Sequence, residues 1–174
     1  VLLHDGRRDP AEVAEVAEAL WYPIWDAGVP IDHAVRSVDE MLDAAVDDLR
    51  VASGMLDVRP VAGDHALALT TRSLFLAEWR RRARVLVPEL RRSVDQRVAQ
   101  SGWLAHSAVP DLKESGGGLR DGVVLRALVA TWLVDVPHVQ AEQLRRELLD
   151  VRDVLHEVTG RRTARFSMED VAAP

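Results

Sequence analysis

Ile31-Asp-His-Ala-Val-Arg-Ser-Val-Asp-Glu-Met-Leu42 holds a change of period that decides the fold. Ile31, His33 and Val35 alternate with Asp32, Ala34 and Arg36, the two-residue period of a short strand. At Ser37 the period changes. Ser37 and Glu40 form a capping box, and apolar residues follow at 38, 41, 42, 45, 46 and 49, a helical stripe. Upstream, Val1-Leu-Leu3 reads as the end of a buried strand that turns out at Asp5-Gly6. Between these strands, Asp9-Pro10-Ala11-Glu12 starts a helix with a capping aspartate, proline at the first helical position and an early carboxylate. Its apolar stripe is Val13, Val16, Leu20 and Ile24; Pro23 should kink or end it, and Gly28 closes the segment. The first 36 residues therefore read strand, helix, strand, a crossover that is parallel and right-handed if both strands share a sheet.

Everything after Ser37 reads helical. Asp39, Asp43 and Asp47 recur at four-residue intervals, as on a solvated acidic face. Pro60 and Gly63 break the chain, and Asp64 caps a long helix expected to run to about Gln100 with a bend at Pro88. Arg80, Arg81, Arg82 and Arg84 crowd its middle; a solvated face is the plainer reading, docking of an acidic partner the other. A helix apolar on nearly all faces, hence central, is expected from Gly122 to Val134. The last full helix carries Leu144, Leu148, Val151, Leu155 and Val158 at heptad spacing and ends at Gly160. That spacing suits an antiparallel bundle or a coiled-coil dimer. Ser167-Met-Glu-Asp170 reads as one more helix start. The fold class is thus mainly α: a helical bundle domain preceded by a small α/β remnant.

Composition narrows the function. With 22 basic and 28 acidic residues the net charge is −6, which argues against a general nucleic-acid or anionic-membrane binder. There is no cysteine, so disulfide scaffolds, thiolate metal sites and cysteine nucleophiles are excluded. The longest apolar run, Gly122 to Val136, is broken by Arg126 and Asp135 and falls short of the roughly 20 residues of a membrane span. The histidines show no metal-ligand spacing.

One stretch fits neither periodicity: Pro110-Asp-Leu-Lys-Glu-Ser-Gly-Gly-Gly-Leu-Arg-Asp121. Gly116, Gly117 and Gly118 can bring backbone amides close to an anion. Lys113, the only lysine in the chain, and Arg120 flank them, a point charge and a forked donor. Asp121 can cap the helix that follows, whose amino end adds partial positive charge. The spacing is not that of a P-loop, which needs lysine directly after the last glycine. By composition alone the stretch is an anion loop or a flexible linker.

This stretch closely resembles the signature of bacterial PII uridylyltransferases, also called uridylyl-removing enzymes. Leu20-Trp-Tyr-Pro-Ile-Trp-Asp-Ala-Gly28, Asp32-His-Ala-Val-Arg-Ser37 and Leu56-Asp-Val-Arg-Pro-Val-Ala-Gly-Asp64 agree with it in order and spacing. Leu149-Asp-Val-Arg-Asp-Val-Leu-His-Glu-Val-Thr-Gly-Arg161 is similar to actinobacterial members. The resemblance implies a cytoplasmic enzyme that transfers UMP from UTP to the PII signalling protein in nitrogen regulation, with Mg²⁺, and with no nucleic-acid or membrane partner. It implies that residues 1–60 are the C-terminal part of a nucleotidyltransferase domain and 61–174 the adjoining helical domain. It also sets the metal-binding aspartate pair just before residue 1, and the hydrolytic and ACT domains after Pro174, so the isolated chain is expected to be inactive and to hold neither Mg²⁺ nor UTP strongly. Lys113, Gly116, Gly117, Gly118, Arg120 and Arg36 are the residues the resemblance directs to the nucleotide. Ala34 stands where the family more often has serine, Pro60 where an apolar residue is commoner, and Asp32 is the only carboxylate placed to act as a third acid. Two alternatives stay open: a non-catalytic helical adaptor for a protein partner, and the related nucleotidyltransferases that accompany CBS modules.

Overall fold

The capping box forms as its residue types require. The Ser37 amide donates to Glu40 Oε2 at 2.7 Å, and the Glu40 amide donates back to Ser37 Oγ at 3.2 Å. The bond from the Ser37 amide stabilises the ionised form, so the Glu40 carboxyl sits below its ordinary pKa. The chain was examined as a computed structural model that describes residues 1–167, apart from the side chain of His138. The helix start read at Ser167-Met-Glu-Asp170 lies outside the described residues.

The chain divides into two compact units, Val1–Glu78 and a second from Trp79 onward. In the first, strand β1 (Leu2–His4) and strand β2 (Val35–Ser37) pair in parallel, Leu2 opposite Val35 and His4 opposite Ser37. Helix α1 (Pro10–Asp26) joins them, and Asp9 caps it by accepting from the Ala11 amide at 2.7 Å. The crossover is therefore present, with two adjustments. The second strand lies later than the alternation from Ile31 implied, because β1 offers only three residues to pair with. Before it, the ring of His33 packs on Trp21 and Trp25 of α1, with centroids 5.7 and 4.8 Å apart. Pro23 falls in the last turn of α1, so its missing amide leaves the preceding turns intact. The buried face of α1 centres on Val13 and Ala17, leaving Val16 and Leu20 exposed.

Helix α2 (Val38–Asp47) stops two residues before the end of the apolar stripe, and α3 (Leu49–Met55) restarts it. Asp48 is extended between them and accepts from the Arg50 amide at 2.7 Å, which lowers its carboxyl pKa. A local cap has thus split one expected helix into two. Asp39, Asp43 and Asp47 are exposed. Asp64 caps α4 (His65–Arg81) by accepting from the amides of Ala66 and Leu67.

The long helix is divided near its middle. It breaks at Arg82, and α5 (Ala83–Ser101) carries Pro88 in its interior. The break falls inside the arginine cluster. Across it Trp79, Ala83, Leu86 and Leu90 stay buried, so the apolar stripe survives. Helix α6 (Leu119–Ala130) starts and ends earlier than the expected Gly122 to Val134. It packs against α5 and α7 (His138–Thr159), with Ala127 buried and its carbonyl accepting from Trp79 Nε1 at 3.0 Å. That is the central place its composition implied. Helix α7 ends at Gly160, whose φ of 63° is the left-handed closure glycine favours. Of its heptad stripe Leu155 is buried, while Leu144, Val151 and Val158 are exposed. No helix among the described residues is long and apolar enough to cross a membrane.

Candidate functional site

The stretch 110–121 is an ordered knot built on the end of α5. Asp111 starts it as a turn former, accepting from the amides of Lys113 and Glu114 at 2.9 Å each. Ser115 is buried; its hydroxyl donates to the Ser101 carbonyl at 3.0 Å and accepts from the Asp111 amide at 3.1 Å. Gly116 then pairs with the chain leaving α5: its amide donates to the Gly102 carbonyl, and its carbonyl accepts from the Leu104 amide, both at 2.9 Å.

Each glycine has a separate reason. A Cβ on Gly116 would lie 2.8 Å from the Trp103 ring and 2.9 Å from Val98. One on Gly118 would lie 2.7 and 2.8 Å from the carbonyl oxygens of Leu112 and Ser115. Gly117 has a φ of +87°. All three amides are already engaged: Gly116 with Gly102, Gly118 with the Ser115 carbonyl at 2.9 Å, and Gly117 with Asp121 Oδ2 at 2.6 Å. The glycines therefore permit close packing, and their amides point into the protein.

Asp121 does not cap α6 as its position suggested: the N-cap is Gly118, and no side chain caps it. Asp121 occupies the first turn of α6 and reaches back to Gly117 while its other oxygen pairs with Arg97 Nη2. Arg97, on α5, is the residue sequence reasoning missed. Its side chain is 12% exposed, and Nη1 also donates to the carbonyls of Glu114 at 2.7 Å and Ser115 at 3.2 Å. One guanidinium thus ties α5, the loop and the start of α6 together. Nothing in the local sequence separates Arg97 from the other arginines of that helix.

From the opposite side comes the segment after α7. The Leu112 amide donates to the Ala164 carbonyl at 2.7 Å, the Phe166 amide to the Pro110 carbonyl at 3.0 Å, and Arg165 faces Asp111 at 3.6 Å. The carbonyl of Thr163 in turn meets His156 Nε2 at 2.9 Å.

Lys113 and Arg120 do come together. Lys113 Nζ lies 3.8 Å and Arg120 Nε 3.2 Å from the same oxygen, Glu114 Oε1. Two cations converge on one partly exposed carboxylate oxygen at the outer side of the loop. Arg36 stands on β2 in the first unit, half-buried, and Asp32 is exposed just before it. Among the described residues no group of three or more His, Asp or Glu side chains could hold a metal ion.

No family model matches the chain, and no solved structure does. Several curated proteins match over most of its length. It is 47% identical over 170 residues to the bifunctional uridylyltransferase/uridylyl-removing enzyme of Streptomyces coelicolor, covering 98% of this chain and 20% of that protein. Identity to the protein of the same name from Mycobacterium tuberculosis is 41% over 170 residues, 92% of this chain and 21% of that one. For that of Corynebacterium glutamicum it is 36% over 156 residues, 90% and 22%. The chain spans about a fifth of the length of the curated relatives it matches.

Proposed function

The chain belongs to the family of bifunctional uridylyltransferase/uridylyl-removing enzymes, and from that premise we propose that it serves UMP transfer from UTP to a PII signalling protein, with magnesium as cofactor. The observation that carries the reading is the match of 47% identity across 98% of the chain. Residues 1–60 would serve as the rear of the transferase domain and 61–174 as its helical neighbour.

What these residues can contribute is anion binding at the outer side of the signature loop. The Lys113 ammonium and the Arg120 guanidinium already share one anionic oxygen, that of Glu114. A phosphate oxygen of UTP can take the place of that carboxylate, with Glu114 swinging out to solvent. Gly116, Gly117 and Gly118 contribute by letting the loop fold tightly enough to set the two cations side by side. Arg36 is assigned to the same ligand on the family pattern alone.

The test uses a full-length family enzyme carrying these residues. Lys113→Ala and Arg120→Ala should each weaken UTP binding by about tenfold, the scale of one charge-assisted contact. Glu114→Gln should strengthen it, because the internal competitor for both cations is neutralised. Unchanged UTP affinity in all three variants would reassign the loop to packing.

A further inference from the structure

A second feature of the helical unit lies apart from this loop. Helix α6 closes on Thr131, and the next residue, Trp132, adopts a φ of 62°, the only positive φ at a non-glycine residue among the described residues. That position after a helix ordinarily takes glycine or asparagine, because a side chain there crowds the backbone. Here it carries the largest side chain available, 75% exposed, followed by Leu133 at 58%. Strain and apolar exposure coincide at one residue.

One face of the Trp132 ring is covered by Arg80, whose guanidinium carbon lies 3.7 Å from the ring centroid. Arg80 Nε is buried and has no hydrogen-bond partner. Four residues on, Arg84 is exposed and has no ion-pair partner among the described residues. Two cations without carboxylates are notable in a chain with 28 acidic residues and a net charge of −6. An apolar anchor flanked by uncompensated arginines is the composition found at the energetic centres of protein interfaces. The local charge calls for an acidic partner, whereas a polyanion such as nucleic acid would meet the negative field of the whole chain.

We propose that the Arg80–Trp132 stack, with Leu133 and Arg84, is a docking point for an acidic segment of a partner protein that carries an apolar side chain. The apolar side chain packs on the open face of Trp132 and on Leu133. The carboxylates pair with Arg84 and with the outer edge of Arg80. This surface is independent of the nucleotide assignment and stands or falls without it.

The experiment titrates the 174-residue chain with a glutamate–tyrosine random copolymer by calorimetry, with oligothymidylate and phosphatidylglycerol vesicles as comparators. Trp132→Gly suits the positive φ and so removes the ring without harming the fold, which a circular-dichroism melt checks. Arg84→Glu reverses an exposed charge. The copolymer should bind, and each variant should weaken it by about tenfold. No binding by the parent chain, unchanged binding in either variant, or tighter binding of oligothymidylate or vesicles overturns the proposal. Should Trp132→Gly unfold, Arg84→Glu decides alone.

Discussion

Glycine in the signature loop illustrates how one residue type does three jobs within three positions. Gly117 is needed for its φ, and Gly116 for room beside the Trp103 ring and Val98. Gly118 is needed for room beside two backbone carbonyls. The distinction predicts an order. Gly116→Ala pushes on side chains that can shift and should cost about 1–3 kcal/mol, as overpacking does. Gly118→Ala pushes on carbonyls held by the Gly118 and Leu119 amides, so it should cost more, and urea denaturation of the two variants checks the order. Arg97→Met leaves Asp121 Oδ1 and the Glu114 carbonyl without their donor and should cost about 3 kcal/mol in the same assay. The composition of the loop showed that glycine mattered, but not which neighbour each one meets, since Trp103 and Val98 come from outside the motif.

At the scale of elements, ends are set locally and breaks are set by competition. The caps at Asp9, Ser37 and Asp64 and the closure at Gly160 act within four residues of their own helix, so each was legible. The breaks at Asp48 and Arg82 interrupt continuous apolar stripes and were not. In α7, Glu142 is bound by Arg145 at 2.6 and 2.8 Å, and that bond holds its carboxyl down at about 2 against an ordinary 4.5. A depressed folded-state value means stability that is present above the ordinary pKa and lost as pH falls toward the depressed one. The melting temperature should therefore decline between pH 4.5 and about 2. Glu142→Gln should flatten that part of the profile, and the same slope in both proteins would disprove the assignment. Arg145 also lies along α6, its Cδ 3.3 Å from where a Gly122 Cβ would sit, so the pair bears on how closely α6 and α7 approach.

The whole chain is two units, and their resources differ. The first carries the parallel strand pair and the second the signature loop, the arginine cluster and α7. No acidic or histidine cluster able to hold a metal occurs among the described residues. On the proposed assignment to Lys113 and Arg120, binding of UTP by the isolated chain should be detectable by ligand-observed NMR.

What the sequence determined by itself is whatever its own neighbours along the chain enforce. The switch from a two-residue to a helical period at Ser37, the crossover before it and the caps all belong there. So does the family, because the matching stretches retain their order and spacing across nearly all the chain. Only the tertiary structure decided where the loop's amides point and that Lys113 and Arg120 meet at Glu114. It alone showed that Arg97 from one helix and residues 164–166 from beyond another hold the loop between them. The contacts of Arg97 and of residues 164–166 join positions 17 to more than 50 apart, and no periodicity carries information over such distances; packing does.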